Sequence, residues 1–374
     1  MTGTGFTMTV AMAPMPAPLV DAVQEIVVET ATDMAGVFTV RFGLSPTQAG
    51  DWSVLETDPF RPLVPVGIRF SLNGGLPAAV INGFVTAQEA SWEEGGHSYL
   101  EVRGTDATGL MNLEEKSRAW PNMPDSVIAT TIFAEYGLVP QVQPTSPRLI
   151  DPEGTTIQRG TDIRFLRRLA RRNGFDCFVQ AEPLTGIDGG VFGPPTVAGV
   201  AGTVLSVAMG SATNVAELRA RYDMTRPTSA QAAGIDAMTK APQPALAPVS
   251  VQPPMGLEPA LLRLMSGGRQ AVVLPADTGA VTTAELQPLV QAIADRSSMA
   301  IVIEGRTGPD VGLLRPGQLV ALRGAGREFN GLYLLTNVRI TAAPGRFEQR
   351  FTARRNALTG TGTEAAAAAA GGLG

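Results

Sequence analysis

The sequence is poor in the residues on which many enzymes and metal proteins depend. Its 374 residues include one cysteine, Cys177, and one histidine, His97. A disulfide within the chain is therefore impossible, and every zinc site built from several Cys and His ligands is excluded. A Ser-His-Asp or Cys-His mechanism would have to use His97 itself. No nucleophile elbow, Walker loop or His-Glu-x-x-His motif occurs, so we expect no catalytic residue, no bound metal and no cofactor.

The two rare side chains have ordinary structural explanations. His97 follows Gly95-Gly96 in a turn before a strand pattern, which favours an exposed loop histidine over a general base. Cys177 lies in the apolar run 175–179, which favours a buried, inert thiol over a nucleophile. Gly324-Ala325-Gly326 lies between two strand patterns, with no third glycine and no helix expected, so it predicts a turn.

Charged and aromatic residues are also scarce. Charged residues make up 17% of the chain, aromatic residues 6% and hydrophobic residues 44%, and the net charge is −5. This composition excludes a disordered acidic chain and argues against direct nucleic-acid recognition. Residues 1–20 contain no Lys or Arg, so the basic region of a signal peptide is missing, and the uncharged stretch 189–216 is broken by Gly193-Pro194-Pro195. We therefore expect no membrane insertion by this chain.

Hydrophobic periodicity divides the chain into strand-rich halves around a helical segment. Two or three domains are expected, at about 150 residues each. Period-2 patterns dominate before residue 106 and resume after residue 203, whereas 3.6-residue patterns predict helices at 125–136, 162–173 and 283–296. The predicted organisation is a flexible arm at 1–20, a first β-barrel at 21–108, a small α/β domain at 109–185, a second β-barrel at 186–358 with a Pro/Ala-rich loop at 241–256, and an Ala/Gly tail at 359–374.

The predicted helix at 162–173 is unusually rich in arginine. Its apolar residues would bury one face and leave most of the arginines outside. A solvated face is the default interpretation, a contact with another protein is the second, and a nucleic-acid contact is the last because no aromatic residues interleave. The candidate subunit-interface residues are Arg159, Arg164, Arg167, Arg168, Arg171 and Arg172.

Three segments, taken in order, resemble the phage late control gene D and VgrG-like family. Residues 157–175 (IQRGTDIRFLRRLARRNGF) resemble its FL-RLA helix. Residues 314–320 (LRPGQLV) and 329–335 (FNGLYLL), followed by Arg354-Arg355-Asn356, resemble its closing motifs, and 102–106 (VRGTD) fits the exit from its first barrel. Where the family has a histidine after the penultimate strand, this sequence reads Arg339-Ile340-Thr341.

The resemblance implies a mainly β protein with an α/β insertion and two tube-protein-like antiparallel β-barrels. Three chains would form a pseudo-sixfold hub in the baseplate of a contractile phage tail or a phage-tail-like injection system. The hub would adapt a separate trimeric spike protein to the hexameric inner tube and contact other baseplate proteins. The protein would be made in the bacterial cytoplasm and assembled into the particle. The alternatives are a tail-associated cell-wall hydrolase and a receptor- or carbohydrate-binding β module.

Overall fold

The computed structural model describes residues 4–93, 98–146, 155–235, 240–266, 271–275 and 283–362. Strands dominate these residues, which confirms the expectation of a mainly β protein. Thirteen strands form one large, mostly antiparallel sheet. Alternating burial explains why the strands form: in the segment Pro65–Ser71, Val66, Ile68 and Phe70 point into the core while the residues between them are half-exposed.

The first half of the chain contributes seven strands to this sheet. Its elements are β1 (Gly5–Val10), β2 (Ala13–Pro14), α1 (Ala17–Asp21), β3 (Val23–Ala31), β4 (Val37–Gly43), β5 (Pro65–Ser71), β6 (Ala78–Ser91) and β7 (Tyr99–Thr105). The strand order is β3-β4-β7-β6-β5-β1-β2.

Residues 4–20 differ from the flexible arm that the Pro/Met/Ala composition of the first twenty residues suggests. β1 pairs antiparallel with β5 along its whole length, from Gly5 opposite Ser71 to Val10 opposite Val66. Met8 and Val10 are buried in the main core, and Met15 and Leu19 follow them there. Burial of these apolar side chains holds the segment in place, because it removes their surface from water.

The insertion after β7 contains both expected helices and two small sheets. Its elements are α2 (Ala107–Leu110), β8 (Glu115–Trp120), α3 (Asp125–Glu135), β9 (Val139–Val142), β10 (Thr156–Thr161), α4 (Asp162–Asn173), β11 (Asp176–Ala181) and β12 (Asp188–Gly193). β8 pairs with β10, and β12 lies between β11 and β9. The insertion therefore extends past the expected boundary at residue 185, because β12 completes its sheet.

The second half returns to the large sheet. Its elements are β13 (Thr203–Ser206), β14 (Val215–Tyr222), β15 (Thr228–Ile235), β16 (Pro242–Ala247), β17 (Glu258–Pro259), α5 (Ala260–Ser266), β18 (Ala271–Val273), α6 (Thr283–Ser298), β19 (Ile301–Thr307), β20 (Leu319–Arg323), α7 (Gly326–Phe329), β21 (Gly331–Ala343), β22 (Arg346–Arg355) and β23 (Ala357–Leu358). β14, β19, β22 and β21 pair in that order, β20 also pairs with β21, and β13 pairs with β20.

A small α/β unit lies between β14 and β19. β15 pairs with β16 and β18, and α6 packs on one face of this sheet through Ala230, Ala245 and Ala247. The expected Pro/Ala-rich loop at 241–256 therefore contains a strand, β16. The small side chains of its alanines allow α6 to pack close to the sheet.

Pairing between β3 and β21 joins the two halves into one sheet. The register runs from Asn337 opposite Ala31 to Ala342 opposite Ile26. One core cluster spans both halves and includes Ile26, Phe42, Ile340 and Phe351. The other face of the sheet is polar: Glu217, Arg306, Arg350, Arg339 and Glu29 stand opposite one another on five successive strands.

Gly104 on β7 is a point where the packing of the first half can be tested. A Cβ at this position would overlap the ring of Phe38 and the carbonyl of Phe84. We expect Gly104→Ala to lower the free energy of unfolding by about 1–3 kcal/mol, because overpacking displaces core side chains. Chemical denaturation measures the change. Gly202→Ala is the control, since its Cβ would meet no atom within 4 Å; equal stability of the two variants would contradict the prediction.

Candidate interaction surfaces

Helix α4 carries most of the candidate interface residues. It forms because Ile163, Leu166 and Leu169 make an apolar stripe that is buried in the core of the insertion. Asp162 lies in the first turn, where a negative charge is favourable, and Gly174 ends the helix in a left-handed conformation with φ 71°. The predicted bounds, 162–173, are those of the structure.

The six candidate arginines fall into two groups. Arg164, Arg168 and Arg171 follow one another at i, i+4 and i+7, so they share one face of α4, and all three are exposed. We call them the arginine stripe. Arg164 lies 3.7 Å from the exposed Glu115, and Arg168 donates to the carbonyl of Ile157. Arg159 is also exposed, on the neighbouring strand β10.

Arg167 and Arg172 flank the stripe and turn toward the body of the insertion. Arg172 makes a two-pronged contact with Asp125 on α3, a carboxylate whose side chain is only 2% exposed. Asn173 donates to the same carboxylate. Nε and Nη2 of Arg167 are buried without a hydrogen-bond partner among the described residues. Arg172 therefore holds α4 against α3 and is not available as a freely exposed cation.

A second polar network fixes the start of α4. Asp162 accepts from Lys116 Nζ at 2.6 Å, from the Tyr136 hydroxyl at 2.7 Å and from Gln158 Nε2 at 2.5 Å. Burial raises the pKa of Asp162, but these hydrogen bonds outweigh burial and bring the pKa below its ordinary value. The pKa of Tyr136 rises to about 12 because of burial and this contact. The Asp162 carboxylate, the Tyr136 hydroxyl and the Lys116 ammonium therefore keep their ordinary charge states at neutral pH. This favours a structural role for the network.

The two groups of arginines should differ in their effect on stability. We expect Arg172→Ala to lower the free energy of unfolding by about 3 kcal/mol, because the buried Asp125 loses its cation. We expect the triple variant Arg164→Ser, Arg168→Ser and Arg171→Ser to change it by about 1 kcal/mol or less, since these side chains are exposed. Urea denaturation compares the two. A triple variant as unstable as the Arg172 variant would show that the stripe supports the fold.

The closing Arg-Arg-Asn motif clamps the end of the second half. Arg355 is fully buried, donates to the carbonyls of Asn330 and Glu328, and lies 4.6 Å from the centre of the Tyr333 ring. Asn356 accepts from the Met255 amide and donates to the Pro253 carbonyl. These contacts are internal, so the motif is explained by packing and not by ligand binding.

The β11–β12 hairpin lies at a junction between the insertion and both halves. Arg315, from the Leu-Arg-Pro-Gly motif, donates to the carbonyl of Ala181 on β11 and to that of Ala79 on β6. Asn82 on β6 donates to the Asp188 carboxylate at 2.9 Å. A cavity of about 530 Å³ opens beside the hairpin, and residues from β3, β11, β19, β21 and β22 line it.

Two carboxyl groups of this hairpin are half-buried where the insertion meets the rest of the protein. Burial raises the pKa of Asp176 to about 6; Arg296 opposes this shift and Asp33 adds to it. Burial likewise raises the pKa of Asp188 to about 6, with Asn82 opposing and Asp106 adding. Nothing in the sequence marked these aspartates, because their local pattern is that of ordinary strand residues.

Asp188 should make stability depend on pH. Its pKa is higher in the folded than in the unfolded chain, so its contribution to stability is greatest below about pH 4 and is lost as the pH rises through 6. We expect Asp188→Asn to stabilise the protein at pH 7.5 by about 1–3 kcal/mol and to have little effect at pH 4, because the amide cannot ionise yet can still accept from Asn82. Denaturation at both pH values checks this. Asp310→Asn, at an exposed site, is the control for the same change of side chain. An equal effect of Asp188→Asn on stability at both pH values would contradict the prediction.

The remaining sequence candidates show no arrangement for catalysis. Cys177 is buried, and burial raises its pKa to about 12, as expected for an inert thiol. His97 lies outside the described residues. Gly324-Ala325-Gly326 leads from β20 into the four-residue helix α7, which corrects the expectation that no helix begins there. Within the described residues no three His, Cys, Asp or Glu side chains are grouped to hold a metal ion, and no helix is long and apolar enough to cross a membrane.

The fold is that of phage-tail-like β proteins. A 43 kDa tail protein of prophage MuSo2 from Shewanella oneidensis is 14% identical, with a TM-score of 0.66 over 95% of this chain and 100% of that chain. A tail protein from Neisseria meningitidis MC58 is 13% identical, with a TM-score of 0.64 over 95% and 97%. A type VI secretion system component from E. coli, structurally similar to the T4 bacteriophage tail proteins gp27 and gp5, is 15% identical, with a TM-score of 0.57 over 93% and 76%.

Residues 6–343 match the family described as the Alg8 N-terminal domain, and the chain belongs to this family. No curated protein matches the sequence. The expected phage-tail-like fold is confirmed, whereas the family match differs from the late control gene D and VgrG-like family that the motifs resemble.

Proposed function

We propose that this protein is a structural hub in the baseplate of a contractile phage tail or a phage-tail-like injection system. The observation that carries the proposal is the continuous sheet through β3 and β21, which joins two strand-rich halves across the α/β insertion. Two halves of similar kind allow three chains to imitate six tube subunits. The hub then matches a hexameric inner tube on one side and a trimeric spike, a separate protein, on the other.

The polar face of the sheet fits this arrangement. Three of its arginines are each paired with a carboxylate: Arg306 lies 3.6 Å from Glu217, Arg350 lies 2.7 Å from Glu348, and Arg339 lies 3.3 Å from Glu29. In the proposed ring of three chains this hydrated face lines the central passage, and the apolar face remains in each chain's core. Closed cyclic symmetry also protects sheet edges from unwanted pairing.

The positions of Asp176 and Asp188, the two carboxyl groups whose pKa is raised to about 6, argue against a role as a cell-wall hydrolase. Asp176 begins β11, whereas Asp188 pairs with Ala181 at the other end of that strand. Five residues of strand separate them by about 17 Å, and glycosidases place their two carboxyl groups about 5–9.5 Å apart. We therefore propose a structural component that carries no catalytic residue and binds no cofactor or metal.

Cryo-electron microscopy of the native particle tests the hub assignment. We expect three copies of the chain between the spike and the inner tube, with β4 and β21 at comparable places in two superposable barrels. Mass photometry of the chain with its spike should give a mass of three copies per spike trimer. A monomer in the assembled particle, or a fold in which the two halves do not superimpose, would contradict the proposal. Clearing of peptidoglycan by the purified chain would favour the hydrolase instead.

A further inference from the structure

Two of the three tryptophans form a pair at one end of the first half, in which Trp52 is half-buried and Trp92 is exposed. The Trp52 and Trp92 rings lie 6.4 Å apart, and Trp92 is 55% exposed. Trp52 belongs to the loop between β4 and β5, and Trp92 directly follows β6. A partly exposed aromatic pair of this kind is typical of a protein contact, because tryptophan supplies a large rigid surface at a small entropic cost.

The loop that presents Trp52 is firmly attached to the core. Val54 and Phe60 are buried in the main core, and the Phe60 ring lies 4.9 Å from that of Phe42. Gln88 on β6 donates to the carbonyl of Phe60. The tryptophan pair therefore stands on a fixed support and does not need to be ordered by its partner.

Exposed carboxylates lie close to the pair in the sequence, in the loop that contains Trp52 and directly after Trp92. Asp51, Glu56, Asp58 and Glu93 are all exposed. Among the described residues, Arg61 is the one cation that forms an ion pair with any of them, at 3.7 Å from Asp58. A cation on the face of a tryptophan, with carboxylates beside it, is a favourable arrangement for an arginine side chain. The tip formed by Trp52, Trp92 and these four acids thus fits a partner that presents several arginines.

The same chain presents such a surface at a distant place. The arginine stripe of α4 belongs to the insertion, which contacts β6 between Ala79 and Phe84. Trp92 lies beyond the other end of β6, about 24 Å or more along the strand from Phe84. The arginine stripe and the tip carry opposite charges. Among the described residues no ion pair joins them, so the two surfaces are separate within one chain.

We propose that the tryptophan–acid tip is the docking site for the arginine stripe of a second copy of the chain. The inference rests on the proposed function and specifies the contact between neighbouring chains. Such a contact is heterologous: one patch of each chain meets a different patch of the next, and repetition about a threefold axis closes a ring. The stripe then docks beside the tryptophan rings, and its guanidinium groups pair with the surrounding carboxylates.

Charge reversal on both surfaces tests the docking. Variant T carries Glu56→Arg and Glu93→Arg, variant S carries Arg164→Glu and Arg168→Glu, and variant TS carries all four substitutions. We expect T and S to weaken self-association of the full chain at least tenfold, and TS to restore it, because the same contacts form with the charges exchanged. Mass photometry over a concentration series measures assembly, and circular dichroism confirms that each variant is folded.

Two further measurements separate this contact from a general effect of charge. The double variant Asp21→Arg and Asp310→Arg changes the net charge by the same amount as variant T, but at exposed acids outside both surfaces. It should assemble like the wild type. Trp92→Ala should weaken assembly without changing the net charge. Raising the salt concentration from 0.05 M to 0.5 M should weaken the wild-type ring, since surface ion pairs are screened.

The outcomes distinguish this inference from the hub assignment. A chain that is monomeric alone and in the particle overturns both. A ring that forms equally well from the wild type and from variant T overturns only the docking site. The docking site is also overturned if T and S each assemble weakly and TS does not restore assembly. Binding of peptidoglycan fragments by the tryptophan pair, lost in Trp92→Ala with assembly unchanged, also overturns the docking site.

Discussion

The antiparallel pairing of β3 with β21 is the contact on which the rest of the structure depends. It brings together strands more than 300 residues apart in sequence, with Asn337 Nδ2 donating to Glu29 Oε1 at 3.0 Å. Because the large sheet is continuous across this pair, the two halves share one core and present one polar face. Without it, the two groups of strands would end in separate edges, and the large sheet would be divided.

Several polar contacts hold the insertion against the two halves. Arg315 bridges it to β6, Asn82 bonds to its β12 strand, and Arg69 donates to the carbonyls of Leu184 and Thr185. Polar junctions between units are easier to rearrange than large apolar ones. Asp176 and Asp188, both half-buried and both with a raised pKa, lie in this same junction, so we expect the contact between the insertion and the two halves to respond to pH.

The arginines of α4 show how one cluster in sequence divides into different physical roles. Arg172 neutralises the buried Asp125, whereas the arginine stripe is exposed and, among the described residues, pairs with no buried acid. The tryptophan–acid tip supplies opposite charge and aromatic surface at the other end of β6. If a hub is assembled from identical chains, a surface that is unused within one chain gains its partner only in the next.

Much of the local structure followed from the sequence alone. The helix at 162–173 was determined by its apolar stripe and by Gly174, and the main strands by their period-2 burial, because both patterns depend on neighbours within a few residues. The tertiary structure decided what local patterns do not contain. It placed β1 in the sheet, made a strand of the Pro/Ala-rich segment around Ala245, and partly buried Asp176 and Asp188, because each of these outcomes depends on contacts with residues distant in the chain.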